Sequence, residues 1–366
     1  MSKIISIGTA VPAYGHRQDD ILYFMQKVYA MNEADRRKLK FLYHHSGIQT
    51  RYSVIPDYCR PAGEWKFYPN TENLEPFPSL ELRMAWYHKY AAALSVDAIR
   101  ECLDGHLASR AVTHLITVSC TGMSAPGLDL QVMELMDLPR NIYRSSVNFM
   151  GCYAAIHALK MADAICKTEQ DARVLIVCTE LCTLHFQKEP TADNIASGLL
   201  FSDGASAALI THDSNASEGW HIDSFYSEIV AKGKKDMAWE LSGNGFLMTL
   251  SSYIPDLIEE DFEALTARAL QHGGKTKDGI THWCIHPGGK RILEVIEKTL
   301  QLPPDALKYS YDVLSSFGNM SSATILFVLK DIMRNYSTGV QDNAELFGAA
   351  FGPGLTMETF LLSPSV

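Results

Sequence analysis

Two stretches of this chain repeat one order of strand, loop and helix start. The first opens on Val112-Thr113-His114-Leu115-Ile116-Thr117, and 39 residues after Thr113 comes Cys152, in Gly151-Cys152-Tyr153-Ala154. The second opens on Ile280-Thr281-His282-Trp283-Cys284-Ile285, and 38 residues after Thr281 comes Asn319, in Gly318-Asn319-Met320-Ser321. In both, the apolar strand runs into a Gly/Pro-rich loop, Thr121–Gly127 in one and His286-Pro287-Gly288-Gly289 in the other. In both, a later Gly-X pair opens a helix of small residues. A duplication of this kind predicts an α/β fold of two halves related by a pseudo-twofold. It also sets Cys152, His286 and Asn319 at loop and helix-start positions, where function concentrates.

The halves divide as 1–215 and 216–366, with the boundary near Thr211–Gly219, where His212-Asp213-Ser214-Asn215-Ala216-Ser217 breaks the pattern. A chain of 366 residues with 47% apolar content buries a large core. A net charge of −10 without a Lys/Arg block argues against nucleic acid as a partner. No run of 18 apolar residues exists, and Lys3-Ile4-Ile5-Ser6-Ile7-Gly8 reads as a first strand rather than a signal peptide, so no membrane insertion and a cytoplasmic location are expected. The eight cysteines lack a C-x-x-C pair, so neither a disulfide framework nor a metal site is expected.

Within the first half, Ala111–Val118, Ala172–Cys178 and Ala205–Thr211 read as buried strands and Ala154–Cys166 as a helix that must lie close against other backbone. The second half repeats the order: strand Ile280–Ile285, helices Lys290–Thr299 and Met320–Met333, then strands Glu345–Phe351 and Leu355–Leu362. Residues 52–80 differ in kind. They combine five prolines with Trp65, Phe67, Tyr68 and Phe77, and form either a cap over the core or the wall of a substrate channel.

Each polar residue of the repeat has a plain alternative. Cys152, at a helix start after Gly151, is a buried inert thiol or a nucleophile whose thiolate the helix dipole favours. His286, at a strand end, is a satisfied core histidine or a partner of that thiol and an oxyanion donor. Asn319 is a helix N-cap or an amide donor to a developing enolate. The repeat favours the functional member of each pair. Two polar donors beside a thiolate suit decarboxylative carbon–carbon bond formation, in which the thiolate carries an acyl group and the donors stabilise an enolate.

The stretches Phe149-Met150-Gly151-Cys152-Tyr153-Ala154, His286-Pro287-Gly288-Gly289, Gly318-Asn319-Met320-Ser321-Ser322-Ala323, Leu200-Phe201-Ser202-Asp203-Gly204-Ala205 and Phe351–Thr359 resemble the thiolase superfamily. Within it they are most similar to the chalcone synthase-like type III polyketide synthases, and to bacterial members in their 52–80 loop. The resemblance implies a duplicated αβαβα five-layer fold and an acyltransferase that works as a homodimer without a cofactor. Its substrates would be malonyl-CoA and a starter carried on CoA or on an acyl-carrier protein. Cys152 would hold the growing chain, and His286 and Asn319 would drive malonyl decarboxylation. Phe201 would gate the cavity, and Gly352-Pro353-Gly354 would shape its wall. Thr121, His185, Met248 and Ser321 fall at cavity-lining positions.

Several positions depart from the plant enzymes. Met248 stands for their second aromatic gate, His185 for a small polar residue, and Ala125 for a longer residue that reaches into the partner's cavity. His45 and Gln49 replace basic residues that hold coenzyme A phosphates, leaving Arg51, Lys38 and Lys40 as the CoA-binding candidates. Three alternatives remain at this level: a single-round β-ketoacyl synthase, a hydroxymethylglutaryl-type synthase with Glu180 as its base, and a non-catalytic partner subunit. Retention of all three polar residues disfavours the last.

Overall fold

The computed structural model describes residues 1–29, 31–71, 73–216, 218–251, 253–336 and 344–365. The first half comprises β1 (Ser2–Ala10), β2 (Tyr14–Arg17), α1 (Gln18–Val28), α2 (Glu33–His45), β3 (Thr50–Ser53), α3 (Leu80–Leu103) and β4 (His114–Ser119). It continues through α4 (Leu128–Met136), β5 (Tyr143–Asn148), α5 (Ala154–Thr168), β6 (Arg173–Leu181), α6 (Ala192–Leu200) and β7 (Asp203–His212). The second half runs β8 (Trp220–Ile229), β9 (Met237–Ser242), β10 (Gly245–Leu250), α7 (Ile254–His272) and β11 (His282–Ile285). It ends with α8 (Lys290–Leu300), α9 (Lys308–Phe317), α10 (Thr324–Tyr336), β12 (Leu346–Gly352) and β13 (Thr356–Pro364).

The duplication is written into strand pairing. The main sheet has the order β11-β12-β13-β8-β1-β7-β6-β4-β5. In the first half β4 runs parallel to β6, which pairs antiparallel with β7, which pairs antiparallel with β1. In the second half β11, β12, β13 and β8 repeat that pattern in that order. The halves join where β1 meets β8, Lys3 opposite His221 and Ile4 opposite Trp220. A short 3₁₀ turn over Asp213–Asn215 separates β7 from β8, within the stretch where the sequence pattern breaks; Ser217 of that stretch lies outside the described residues.

Side-chain alternation sorts the strands into layers. Along β6, Val174, Ile176 and Cys178 enter the central cluster, whereas Leu175 and Val177 face an outer cluster with α3. Along the second-half strands, Leu346, Phe360 and Leu362 face the same centre, while Phe347, Ala349 and Leu361 face α7 and α8. The centre also holds α5 and α10. Helix, sheet, helix pair, sheet and helix make five layers. Ala154, Ala155, Ala158 and Ala162 of α5 are fully buried, and these small side chains let it approach the turn Ser321–Ala323 that opens α10.

Two expectations change in detail. The helix expected over Met320–Met333 begins as that 3₁₀ turn, with Ser321 at φ 49°, before α10 starts at Thr324. The 52–80 segment serves both proposed roles. Trp65, Phe67 and Tyr68 bury themselves against α1 and α3, and the Asp57 carboxylate accepts the backbone N–H groups of Lys66, Phe67 and Tyr68 at 2.8–2.9 Å. Tyr58 of the same segment reaches the cavity described next.

Candidate active site

Cys152, His286 and Asn319 line one cavity between the halves. Each reaches it for a local reason. Gly151, at φ 83°, turns the chain from β5 into α5, and a Cβ there would overlap Pro353 Cδ at 2.1 Å. The Gly-Pro-Gly loop thus packs directly on the turn that presents the thiol. His286 follows β11 and continues its pairing, its N–H donating to Ala349 O at 2.8 Å. Asn319 is held by a parallel bridge to Phe201, and its Oδ1 accepts the Ser321 N–H at 2.8 Å. That bond spans two residues within the turn and is not a helix cap, since the N-cap position is Met320; it fixes the amide and leaves Nδ2 as the donor side, with one long contact to Gly288 O at 3.4 Å.

The electrostatics differ from expectation. Cys152 is partly exposed and lines the cavity. Burial pushes its thiol up to about 12, opposed by its contact with Ser321 Oγ at 3.7 Å. Both ring nitrogens of His286 are buried without a partner, and burial lowers this imidazole to about 3. No hydrogen bond joins the two residues. Burial thus opposes the thiolate expected from the helix start, and α5 begins two residues beyond Cys152. The site holds a neutral thiol and a neutral imidazole whose unpartnered nitrogens, costly to bury, await a ligand.

Glu180 lies behind the cavity. Its carboxylate accepts Cys120 N–H and Thr121 Oγ1 at 2.9 Å and Ser322 Oγ at 2.5 Å, so it ties the first-half loop to the turn after Asn319. With those donors engaged it positions its neighbours and is no free base. Burial raises it to about 7.

The remaining expected lining divides. Phe201, Met248, Thr121, His185, Ser321 and Pro353 line the cavity, while Gly352 and Gly354 stand back from it. His185 accepts the Phe246 N–H on Nδ1 at 3.1 Å and donates from Nε2 to Thr121 O at 2.7 Å, so neither nitrogen is free for substrate. Lys38 and Lys40 are exposed on α2, as surface cations should be. Arg51 is not with them. Burial along β3 alternates with Arg51 and Ser53 inward, so its side chain is 4% exposed and faces the cavity rather than an outer phosphate. Sequence reasoning missed Trp239 and Phe246, which stand on the hairpin of β9 and β10. The Gly243-Asn244 pair between those strands was the available signal.

Comparison with known proteins agrees over the whole chain. Residues 1–214 match the profile of chalcone and stilbene synthases, N-terminal domain, and residues 221–366 that of the C-terminal domain. A putative chalcone synthase of Bacillus subtilis is 30% identical over 99% of both chains. The probable polyketide synthase 1 of Dictyostelium discoideum is 28% identical over 98% of this chain, which spans 11% of that protein's length. Among solved structures, PKS-I from the brown alga Ectocarpus siliculosus superposes with a TM-score of 0.92 at 25% identity, covering 99% of this chain and 97% of that one. The C-terminal type III polyketide synthase domain of Steely1 from Dictyostelium superposes at 0.90 with 27% identity, covering 100% and 99%.

Proposed function

The chain belongs to the chalcone and stilbene synthase family of type III polyketide synthases, which makes it an acyltransferase, and on that premise we propose that it extends an acyl starter held on Cys152 with malonyl units. One observation carries this reading: a thiol, an unpartnered imidazole and an oriented amide donor converge on one buried cavity.

The Cys152 sulfur attacks the starter thioester carbonyl, its proton passing to the free lone pair of His286. A new C–S bond forms, and the carrier thiol leaves with that proton. Malonyl thioester then enters past Phe201. As its carboxylate departs as carbon dioxide, the electron pair moves onto the thioester oxygen, where His286 N–H and Asn319 Nδ2–H donate. Such preorganised donors in a dry site stabilise an enolate far better than water does. The enolate carbon attacks the acyl carbon on Cys152, the C–S bond breaks, and the thiolate is regenerated for the next round. Cyclisation to a pyrone or resorcinol-type product completes the reading. Lys38 and Lys40 supply surface charge for coenzyme A or an acidic carrier protein, without Arg51.

The test is intact-mass analysis of Cys152 after incubation with acyl thioesters, followed by product masses from labelled malonyl-CoA. Masses spaced by successive two-carbon additions support the iterative enzyme, whereas one addition supports a single-round synthase. Cys152→Ala should abolish extension by more than about 10³-fold and spare malonyl decarboxylation, which rests on His286 and Asn319. Full extension by that variant would refute the mechanism.

A further inference from the structure

Arg51 is the one permanent cation among the described residues that line the cavity, and no carboxylate lines it. The side chain bonds only neutral oxygens: Nε donates to Gln18 Oε1 at 2.9 Å and Nη1 to Phe201 O at 2.7 Å. Nη2 is buried and has no partner. Tyr43 lies beside the guanidinium, which opposes the rise that burial imposes on its phenol, and its hydroxyl donates to Gly198 O at 3.2 Å. A buried guanidinium held by neutral groups alone is costly, and the partner that best satisfies its fork is a carboxylate. Gln18 opens α1, and Phe201 follows α6. Arg51 lines the same cavity as Cys152.

We propose that Arg51 is the carboxylate-recognition residue of this cavity, holding the free carboxylate of an acyl thioester while its thioester end lies toward Cys152. The inference rests on the reading of the cavity as an acyl site. Two sources share the chemistry: the malonyl extender before it loses carbon dioxide, and a starter that carries a second, terminal carboxylate.

Wild-type protein alone gives the first test. Glutarate should slow alkylation of Cys152 by iodoacetamide, and the uncharged glutaramide, of equal length, should not; equal protection by the two would overturn the proposal. The sources separate in wild type and Arg51→Met. With a starter carboxylate, glutaryl-CoA should acylate Cys152 about 10- to 100-fold faster than valeryl-CoA in wild type, as one charged hydrogen-bond pair allows, and the variant should lose the preference. With an extender carboxylate, the variant should raise KM for malonyl-CoA in carbon dioxide release by a similar factor, while the glutaryl-to-valeryl ratio stays near one in both proteins. A variant that moves neither quantity sinks the assignment. Hexanoyl-CoA separates this from the synthase reading: if it acylates Cys152 in wild type, that reading survives any result at Arg51. If no acyl thioester labels Cys152, the synthase reading itself falls.

Discussion

Phe201 and Asn319 are joined backbone to backbone across the two halves: Asn319 donates its N–H to Leu200 O, and Ser202 donates to Asn319 O, each at 2.9 Å. The residue expected to gate the cavity and the residue expected to hold the enolate therefore move as one unit. Gly318 makes the bridge possible. It sits at φ 71° and ψ −159°, and a Cβ there would meet Arg51 Cγ at 2.9 Å and Leu200 O at 3.0 Å. Gly318→Ala should cost about 1–3 kcal/mol of stability from backbone strain, with further loss from the contact. Malonyl decarboxylation should fall with it, because Asn319 shifts. Urea denaturation and carbon dioxide release together check this; unchanged stability would remove the strain argument.

The duplication and its three polar residues were legible because a glycine precedes Cys152 and Asn319 and an apolar strand runs straight into His286. The five layers came with the family resemblance, and strands such as β6, apolar on both faces, fit them because such strands must be covered twice. The direction of Arg51 was not legible: β3 is four residues long, too short for its alternation to be read against the neighbouring loop. The effect of burial on Cys152 was not legible: a helix start favours a thiolate, whereas burial, which only packing reveals, opposes it. Trp239 and Phe246 were hidden in a hairpin that pairs with no other strand, outside the repeat.

Glu180 makes stability depend on pH in a definite direction. Its folded-state value, about 7, lies above the ordinary carboxylate value, so the folded chain holds this proton more tightly than the unfolded chain. The resulting stabilisation is complete below about pH 4.3 and is lost as pH rises towards 7. Over that window it amounts to about 3 kcal/mol. Glu180→Gln keeps the acceptor for Cys120 and Thr121 and turns an amide towards Ser322, so it should remove this slope. Denaturation midpoints of both proteins at several pH values test it. Parallel curves would mean that Glu180 does not titrate as its burial implies.

We propose that a second copy of the chain is the partner its surface fits. β5 is the last strand of the main sheet, with one edge unpaired, and Tyr143, Met123 and Leu135 beside it are 68%, 46% and 55% exposed. An unpaired edge with apolar neighbours favours closure by a twofold-related copy. The loop with Ala125 lies in the same region, where a longer side chain would reach across. Light scattering at micromolar concentration should give twice the chain mass of 40.7 kDa. A value near the monomer mass would end the proposal. Tyr143→Lys should weaken the pair.

We propose that Met248 governs the starter. It lines the cavity on β10, directly across from Trp239 on β9, and Phe246 stacks on His185 two residues before it. That side already carries rigid rings, so a flexible thioether is the adaptable part of the wall. A long aliphatic acyl chain can displace Met248 from rotamer to rotamer, whereas Phe would narrow the passage. Each buried methylene contributes about 0.8 kcal/mol, so affinity should rise several-fold per added carbon while the chain still finds apolar surface. Wild type should therefore use lauroyl and hexanoyl thioesters with higher kcat/KM than coumaroyl. Met248→Phe should reduce the lauroyl-to-coumaroyl ratio by about 10-fold, the equivalent of losing one or two buried methylenes. A wild-type preference for coumaroyl would reverse the reading of the cavity, and an unchanged ratio in the variant would transfer the selectivity to the ring cluster of His185, Trp239 and Phe246.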